Sequence, residues 1–164
     1  MSATFRLQRL VALLCTVLAT TGALLAATAI VAPDADAASK NKIRHAMRVA
    51  KHQLGDPYIY GSDGPNAFDC SGLTYYAFQE RSGIRLPRST DAQYRSMRPI
   101  AKHRMHKGDL MFFRSGGGIY HVGIFIGWKD HKRRLLHAPS TGHSVNRDPV
   151  WTRQWKAATL RPAG

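Results

Sequence analysis

The sequence predicts an α+β fold in a single domain, with helices in its first half and an antiparallel sheet in its second. Apolar residues recur at helical spacing through Ile43, Ala46, Met47, Ala50 and Leu54, and again through Leu73, Ala77 and Phe78. From Asp109 onward the pattern changes to short strand-like runs separated by turn residues. Residues 38–164 suffice for one real core but not for two domains, and no linker, repeat or low-complexity tract interrupts them.

The N-terminus reads as a signal peptide over residues 1–37. Arg6 and Arg9 precede a charge-free apolar stretch from Leu10 to Ala32, followed by Ala35-Asp36-Ala37 and a polar chain. The stretch is long enough to cross a bilayer, which takes about 20 apolar residues, so an uncleaved membrane anchor is the alternative. Cys15 follows the bulky Leu14 inside the apolar stretch, which argues against lipidation, and it leaves with the signal. The expected location is outside the cell or at the cell wall. Only Cys70 then remains, a lone thiol in an oxidising compartment.

The first mature helix is expected to be capped by Ser39 or Asn41, to bury one stripe, and to stop at Gly55. A turn-rich segment from Asp56 to Pro65 follows. The second helix is expected to begin at Asp69 or Cys70 and to stop at Gly83, with the thiol on the buried stripe. A thiol at a helix N-terminus is expected to have its pKa lowered below the free value of about 8.5, and the same N–H groups could hold an oxyanion. The structural alternative is a buried small hydrophobe beside an Asp69 cap. A short third helix follows Leu86-Pro87-Arg88, with Thr90 and Gln93 at capping-box spacing.

The remaining chain reads as strands at 109–114, 120–128, 133–138, 144–147 and 158–161. A hairpin centred near Lys129 would pair His121 directly with His137 on one face of the sheet, with Gly123, Phe125 and Gly127 beside them. Small residues on that face would admit the Cys70 helix. A cysteine, a base and an orienting group point to nucleophilic catalysis: imidazole takes the thiol proton, the thiolate attacks an acyl carbon, and the imidazolium protonates the leaving amine.

The runs Tyr58-Ile-Tyr-Gly, Phe68-Asp-Cys-Ser-Gly-Leu, Leu86-Pro-Arg-Ser-Thr, Gly108-Asp-Leu-Met-Phe-Phe, His121-Val-Gly-Ile-Phe-Ile-Gly and Leu136-His-Ala-Pro resemble, in order, those of NlpC-type peptidoglycan endopeptidases. The resemblance covers roughly Ile43 to Leu160. It implies a papain-like fold, with a nucleophile helix packed on an antiparallel sheet, and cleavage of wall stem peptides, typically between D-γ-glutamate and the following diamino acid. By motif position Cys70 is the nucleophile, His121 the base and His137 the third polar residue. Tyr58 matches a position that binds oxyanion or substrate. Asp69 and Ser71 match positions lining the pocket, with helix capping as the alternative, and Ser89 matches a motif position that an ordinary turn also explains. Gly61-Ser62 and Lys107-Gly108-Asp109 depart from the usual Gly-Gly and Pro-Gly-Asp.

The net charge of +14 survives loss of the signal, since Arg6, Arg9, Asp34 and Asp36 cancel. Such a charge draws the protein to polyanions, and secretion favours wall carboxylates and phosphates. No nucleic-acid-binding signature is present, so nucleic acid is not an expected partner. The expected partner is bacterial peptidoglycan, with the protein acting as a monomer. His103 and His106 form a possible ligand pair, but no cysteine cluster or His-Glu-x-x-His run accompanies them, so neither metal nor cofactor is expected. Two other readings stay open: an amidase cutting between sugar and stem peptide, and a non-catalytic basic wall-binding protein.

Overall fold

The computed structural model describes residues 35–162. The apolar stretch, Arg6, Arg9 and Cys15 lie outside the described residues. Helix α1 spans Ala35–His52, starting ahead of the expected caps at Ser39 and Asn41. Ala35, Ala37 and Ala38 favour helix, and Asp36 in the first turn suits the helix dipole and pairs with Lys40 one turn on. Ile43, Ala46, Met47 and Ala50 form the buried stripe. After two further turns Gly55 takes a left-handed φ of 97°, and its N–H donates to the Val145 carbonyl.

Helix α2 spans Cys70–Tyr75 and continues as a π-helical turn over Tyr76–Glu80, before Gly83 ends it at a φ of 61°. Leu73, Ala77 and Phe78 are fully buried along it, each large side chain contributing roughly 1.5–3 kcal/mol. Its N-terminal turn runs very close to the preceding loop. A Cβ at Gly72 would sit 2.1 Å from the Ser62 carbonyl oxygen, so only glycine fits there.

Helix α3 spans Thr90–Ser96, but the expected capping box does not form. Ser89 is the N-cap residue, with no side-chain cap bond. The fully buried Gln93 instead accepts from Thr74 Oγ1 and donates to the carbonyls of Ser71 and Pro87. A buried amide must satisfy its polar atoms inside the protein, and tying α3 to α2 does so.

Six strands form one antiparallel sheet: β1 Arg98–Ile100, β2 Leu110–Ser115, β3 Gly118–Lys129, β4 Lys132–His137, β5 Asn146–Pro149 and β6 Trp155–Thr159, in the order β1-β6-β2-β3-β4-β5. β1 was not expected from the sequence. It is three residues long and holds Pro99, which an edge strand tolerates. Both faces of the sheet are covered. Leu110, Phe112, Val122, Ile124, Leu136 and Ala158 pack with α1 and α2, while Met111, Phe113, Phe125, Leu135, Trp155 and Ala157 form a second core with Ile100, Met105 and Val150. The continuous apolar run of β2 reflects this two-sided burial.

The β3–β4 hairpin departs from the expected register. Its turn is the two-residue Asp130-His131, both in left-handed conformation, with Lys129 opposite Lys132. A bulge between Phe125 and Gly127 shifts the pairing again, leaving Ile124 opposite Leu136. The combined offset is two residues, so His121 and His137 keep a common face but become diagonal neighbours.

The face assignment of β3 holds as far as Phe125; beyond the bulge, where Gly127 pairs with Arg134 and Trp128 with Arg133, the alternation is reversed and Trp128 joins the Phe125 face. Helix α2 packs on the Val122 and Ile124 side rather than the His121 side. The space at Gly123 admits β4 instead: a Cβ there would lie 2.6 Å from Leu135 Cδ1 and 3.2 Å from His137 Cβ.

Candidate active site

Cys70 opens α2, and its thiol lies at an open cleft of about 480 Å³ whose walls include Tyr58, Tyr60, Asp69, Ser71, Ser89, Thr90 and Tyr120. All four predicted accessory residues therefore line one cleft with the thiol. Sγ lies 4.0 Å from Thr90 Oγ1, and the backbone N–H groups of Val122 and Ser71 favour its ionised form. Val122 is the residue after His121, so the thiol sits against the strand that carries the predicted base. Among the described residues no hydrogen bond joins Cys70 to His121; contacts of this kind often tighten only with substrate bound.

The expected low thiol pKa is not found. Burial pushes Cys70 up, and the neighbouring Asp69 carboxylate pushes the same way, while the Val122 N–H, the Thr90 hydroxyl and the Ser71 N–H oppose them without prevailing. Desolvation outweighs the ends of a six-residue helix.

Asp69 performs its capping role in full. Oδ1 accepts from Gly72 N at 2.6 Å, Ser71 Oγ at 3.2 Å and Arg88 Nη1 at 3.0 Å; Oδ2 accepts from Gly61 N at 2.9 Å and Arg88 Nη2 at 2.9 Å. Burial opposes its charge, but the Arg88 hydrogen bonds and those from Gly72 and Gly61 win, so its pKa is lowered. Arg88 also reaches Asp63 and the Ser62 carbonyl. Tyr58 is pushed up by burial and by the negative charge that Cys70 and Asp69 can carry, which keeps its hydroxyl protonated and able to donate.

Both histidines are buried, at 5% and 2% exposure. His121 Nε2 lies 2.7 Å from His137 Nδ1, with the rings edge to face at 79°. His137 Nε2 lies 3.1 Å from Asp148 Oδ2 on β5. The Trp151 indole stacks on Phe113 at 4.3 Å and covers both imidazoles, at 5.5 Å from His137 and 5.9 Å from His121. Burial, aided by the neighbouring His137, pulls His121 down to about 3. His137 is lowered by burial, and Asp148 recovers part of the loss. The resting site thus pairs a neutral thiol with neutral imidazoles.

Arg88, Asp148 and Trp151 were missed as site residues. Arg88 lies inside a recognised motif, which was its signal; Asp148 left none, because β5 carries no motif, and Trp151 offered only its aromatic ring, which suits a core or a groove wall equally. His103 and His106 flank a basic segment, with His103 in a 3-10 turn over Lys102–Arg104, and no cluster of three or more metal-ligating side chains occurs among the described residues.

A thiol at the head of a helix, packed on an antiparallel sheet that carries a hydrogen-bonded histidine pair, defines a domain of the papain-like α+β class. The NlpC/P60 family model matches residues 55–163, and the chain belongs to that family. It is 34% identical over 134 residues to the murein DD-endopeptidase MepH of Escherichia coli K12, covering 74% of this chain and 48% of that protein. It is 50% identical over 78 residues to the probable endopeptidase p60 of Listeria innocua, covering 48% of this chain and 16% of that one. The chain thus spans less than half the length of these two curated relatives. Among solved structures, the P60 domain of a Mycobacterium avium subspecies paratuberculosis antigen superposes with a TM-score of 0.66 at 27% identity, covering 76% of this chain and 98% of that one. The peptidoglycan hydrolase RipB of Mycobacterium tuberculosis gives 0.65 at 27% identity, covering 77% and 68%.

Proposed function

We propose that this protein is a peptidoglycan hydrolase, a secreted cysteine endopeptidase that cuts wall stem peptides at the D-γ-glutamyl–diamino acid bond. The observation that carries the reading is the His121–His137 hydrogen bond, made from β3, the strand against which the helix that opens with Cys70 packs. Family membership supports the chemistry, and the names of MepH and RipB support the substrate class.

In this reading His121 accepts the Cys70 proton as sulfur attacks the amide carbon. The Tyr58 hydroxyl donates to the oxyanion, and the imidazolium returns its proton to the departing amine, leaving a thioester. Water then attacks the thioester with His121 again as base, freeing the acid and restoring the thiol. His137 orients the His121 ring. Ser71 and Ser89 line the cleft, and Asp69 acts there through its hold on the helix start and on Arg88. The protein acts as a monomer and needs no cofactor. Residues 1–37 direct it out of the cell, to the medium or the wall, or hold it at the membrane if they are retained.

The test incubates the protein and its Cys70→Ala variant with purified peptidoglycan and identifies fragments by mass spectrometry. Cysteine-dependent cuts after γ-glutamate are expected. Cuts at a crosslink, as the name of MepH indicates for that relative, would reassign the bond. Cuts at the sugar–peptide amide would make it an amidase, and binding without fragments would leave a wall-binding protein.

A further inference from the structure

The hydrogen-bond chain does not end at His137, and its last member determines where every proton on it lies. An ionised carboxylate only accepts, so the 3.1 Å contact between His137 Nε2 and Asp148 Oδ2 requires the proton on Nε2. A neutral His137 then has a bare Nδ1, and the 2.7 Å contact to His121 Nε2 is made only if His121 donates. A neutral His121 with its proton on Nε2 keeps its free lone pair on Nδ1. That is the tautomer a general base needs when its other nitrogen faces the orienting group.

We propose that Asp148 is a positioning residue of the catalytic site, a β5 carboxylate that sets the tautomer of His137 and, through it, leaves Nδ1 of His121 free to accept the thiol proton. The proposal rests on the thiol mechanism above and extends it from three residues to four. When His121 takes the proton it becomes an imidazolium whose Nε2–H still donates to His137. No second transfer is needed, and the proton on Nδ1 passes to the leaving amine.

The surroundings leave few competitors for this role. The groups facing His137 are His121 from β3, Asn146 and Asp148 from β5, and the Trp151 indole. Asn146 pairs with His137 across the β4–β5 register and weakly favours its charged form, but its buried Oδ1 makes no hydrogen bond of normal geometry. Asp148 is the well-formed acceptor. It is also 43% exposed, so water can stand in for it in part, and the expected loss lies at the lower end of what supporting residues of this kind contribute.

The experiment uses the full chain labelled with 15N and reads both histidine tautomers from long-range imidazole correlations at neutral pH, alongside kcat and KM on a purified muropeptide. In the wild type both rings are expected to carry the proton on Nε2; a proton on Nδ1 of His137 overturns the proposal without any variant. Asp148→Ala is expected to populate the other His137 tautomer and to lower kcat by roughly tenfold with little change in KM. Asp148→Asn, whose Oδ1 still accepts, is expected to restore the tautomer and most of kcat. Unchanged tautomers and kcat in a folded Asp148→Ala protein overturn the proposal. If the wild type instead proves inactive on every muropeptide, the hydrolase reading fails, while the tautomers still decide whether Asp148 governs the histidine pair.

Discussion

Arg88 and Asp69 form a two-pronged ion pair at the start of the helix that presents Cys70, Nη1 to Oδ1 at 3.0 Å and Nη2 to Oδ2 at 2.9 Å. The pair joins three segments, because Arg88 also holds Asp63 and the Ser62 carbonyl while Asp69 holds Gly61 and Gly72. Arg88→Ala would leave a carboxylate that is only 10% exposed without its counter-ion. Losing one partner of a fully buried pair costs about 3–5 kcal/mol. Arg88 is 31% exposed, so about 2–4 kcal/mol is expected, a fall in Tm of roughly 6–15 °C. The uncompensated charge beside Cys70 should also raise the thiol pKa further, read as a shift of the alkylation rate toward higher pH. Arg88→Lys should recover little, since an ammonium cannot make both bonds. A variant with wild-type Tm and alkylation profile would contradict this account.

Acid should unfold the domain through its histidines. Unfolded, His121 titrates near 6.5; folded, it is held down to about 3, and His137 is lowered as well. Between those values the unfolded chain binds protons that the folded chain refuses, so stability is lost as pH falls from 6.5 toward 3. Each pKa unit corresponds to about 1.4 kcal/mol, which makes the His121 contribution several kcal/mol. Below pH 4 the lowered Asp69 carboxylate adds its own loss in the same direction. Urea unfolding at successive pH values should show the midpoint dropping steeply through that window. A flat profile from pH 6.5 to 4 would show that the rings are not held neutral.

Trp151 is the predicted source of part of that desolvation. The residue is 51% exposed, and its ring lies against the imidazole pair. Trp151→Ala should admit water to both rings, raise the His121 pKa toward 6.5, and flatten the acid limb just described. The loss of stacking on Phe113 should cost about 1–2 kcal/mol at neutral pH. A histidine titration followed by NMR separates the two effects. An unmoved His121 pKa in a folded variant would assign the burial to the protein beneath the ring instead.

What the sequence made legible was local or carried by motif. The buried stripe of α1, the start of α2 at Cys70 and the alternation of Val122 and Ile124 against His121 follow from period alone. The pairing of His121 with His137 was reached through the wrong register and was still right about the shared face, because an offset of two residues preserves side-chain direction. The bulge after Phe125 and the two-residue turn at Asp130-His131 were not readable, since both depend on how many residues the twisted hairpin leaves unpaired. The thiol pKa was misjudged for a different reason. Helix position is visible in a sequence, but the burial that overrides it is a property of the assembled domain. The same holds for Gln93, whose spacing from Thr90 suggests a cap but whose side chain is needed to bridge α2 and α3.

The net charge makes a prediction independent of catalysis. The chain carries 24 lysines and arginines against 10 acidic residues, and some of the excess lines depressions that share no residue with the thiol cleft: Arg114, Arg153 and Lys156 edge one, Arg98 and Arg104 another. If such residues hold the protein on anionic wall polymers, attraction operates over the Debye length, about 8 Å at physiological salt and about 3 Å at 1 M. Binding of the Cys70→Ala variant to purified walls, which it should leave undigested, is expected to fall severalfold across that range. Replacing Arg153 and Lys156 with glutamate should weaken binding at low salt and leave muropeptide hydrolysis by the active protein unchanged, because a small soluble substrate needs only the cleft. Binding that persists at 1 M salt would place wall recognition in the cleft itself, where Tyr58, Tyr60 and Tyr120 offer uncharged contact area.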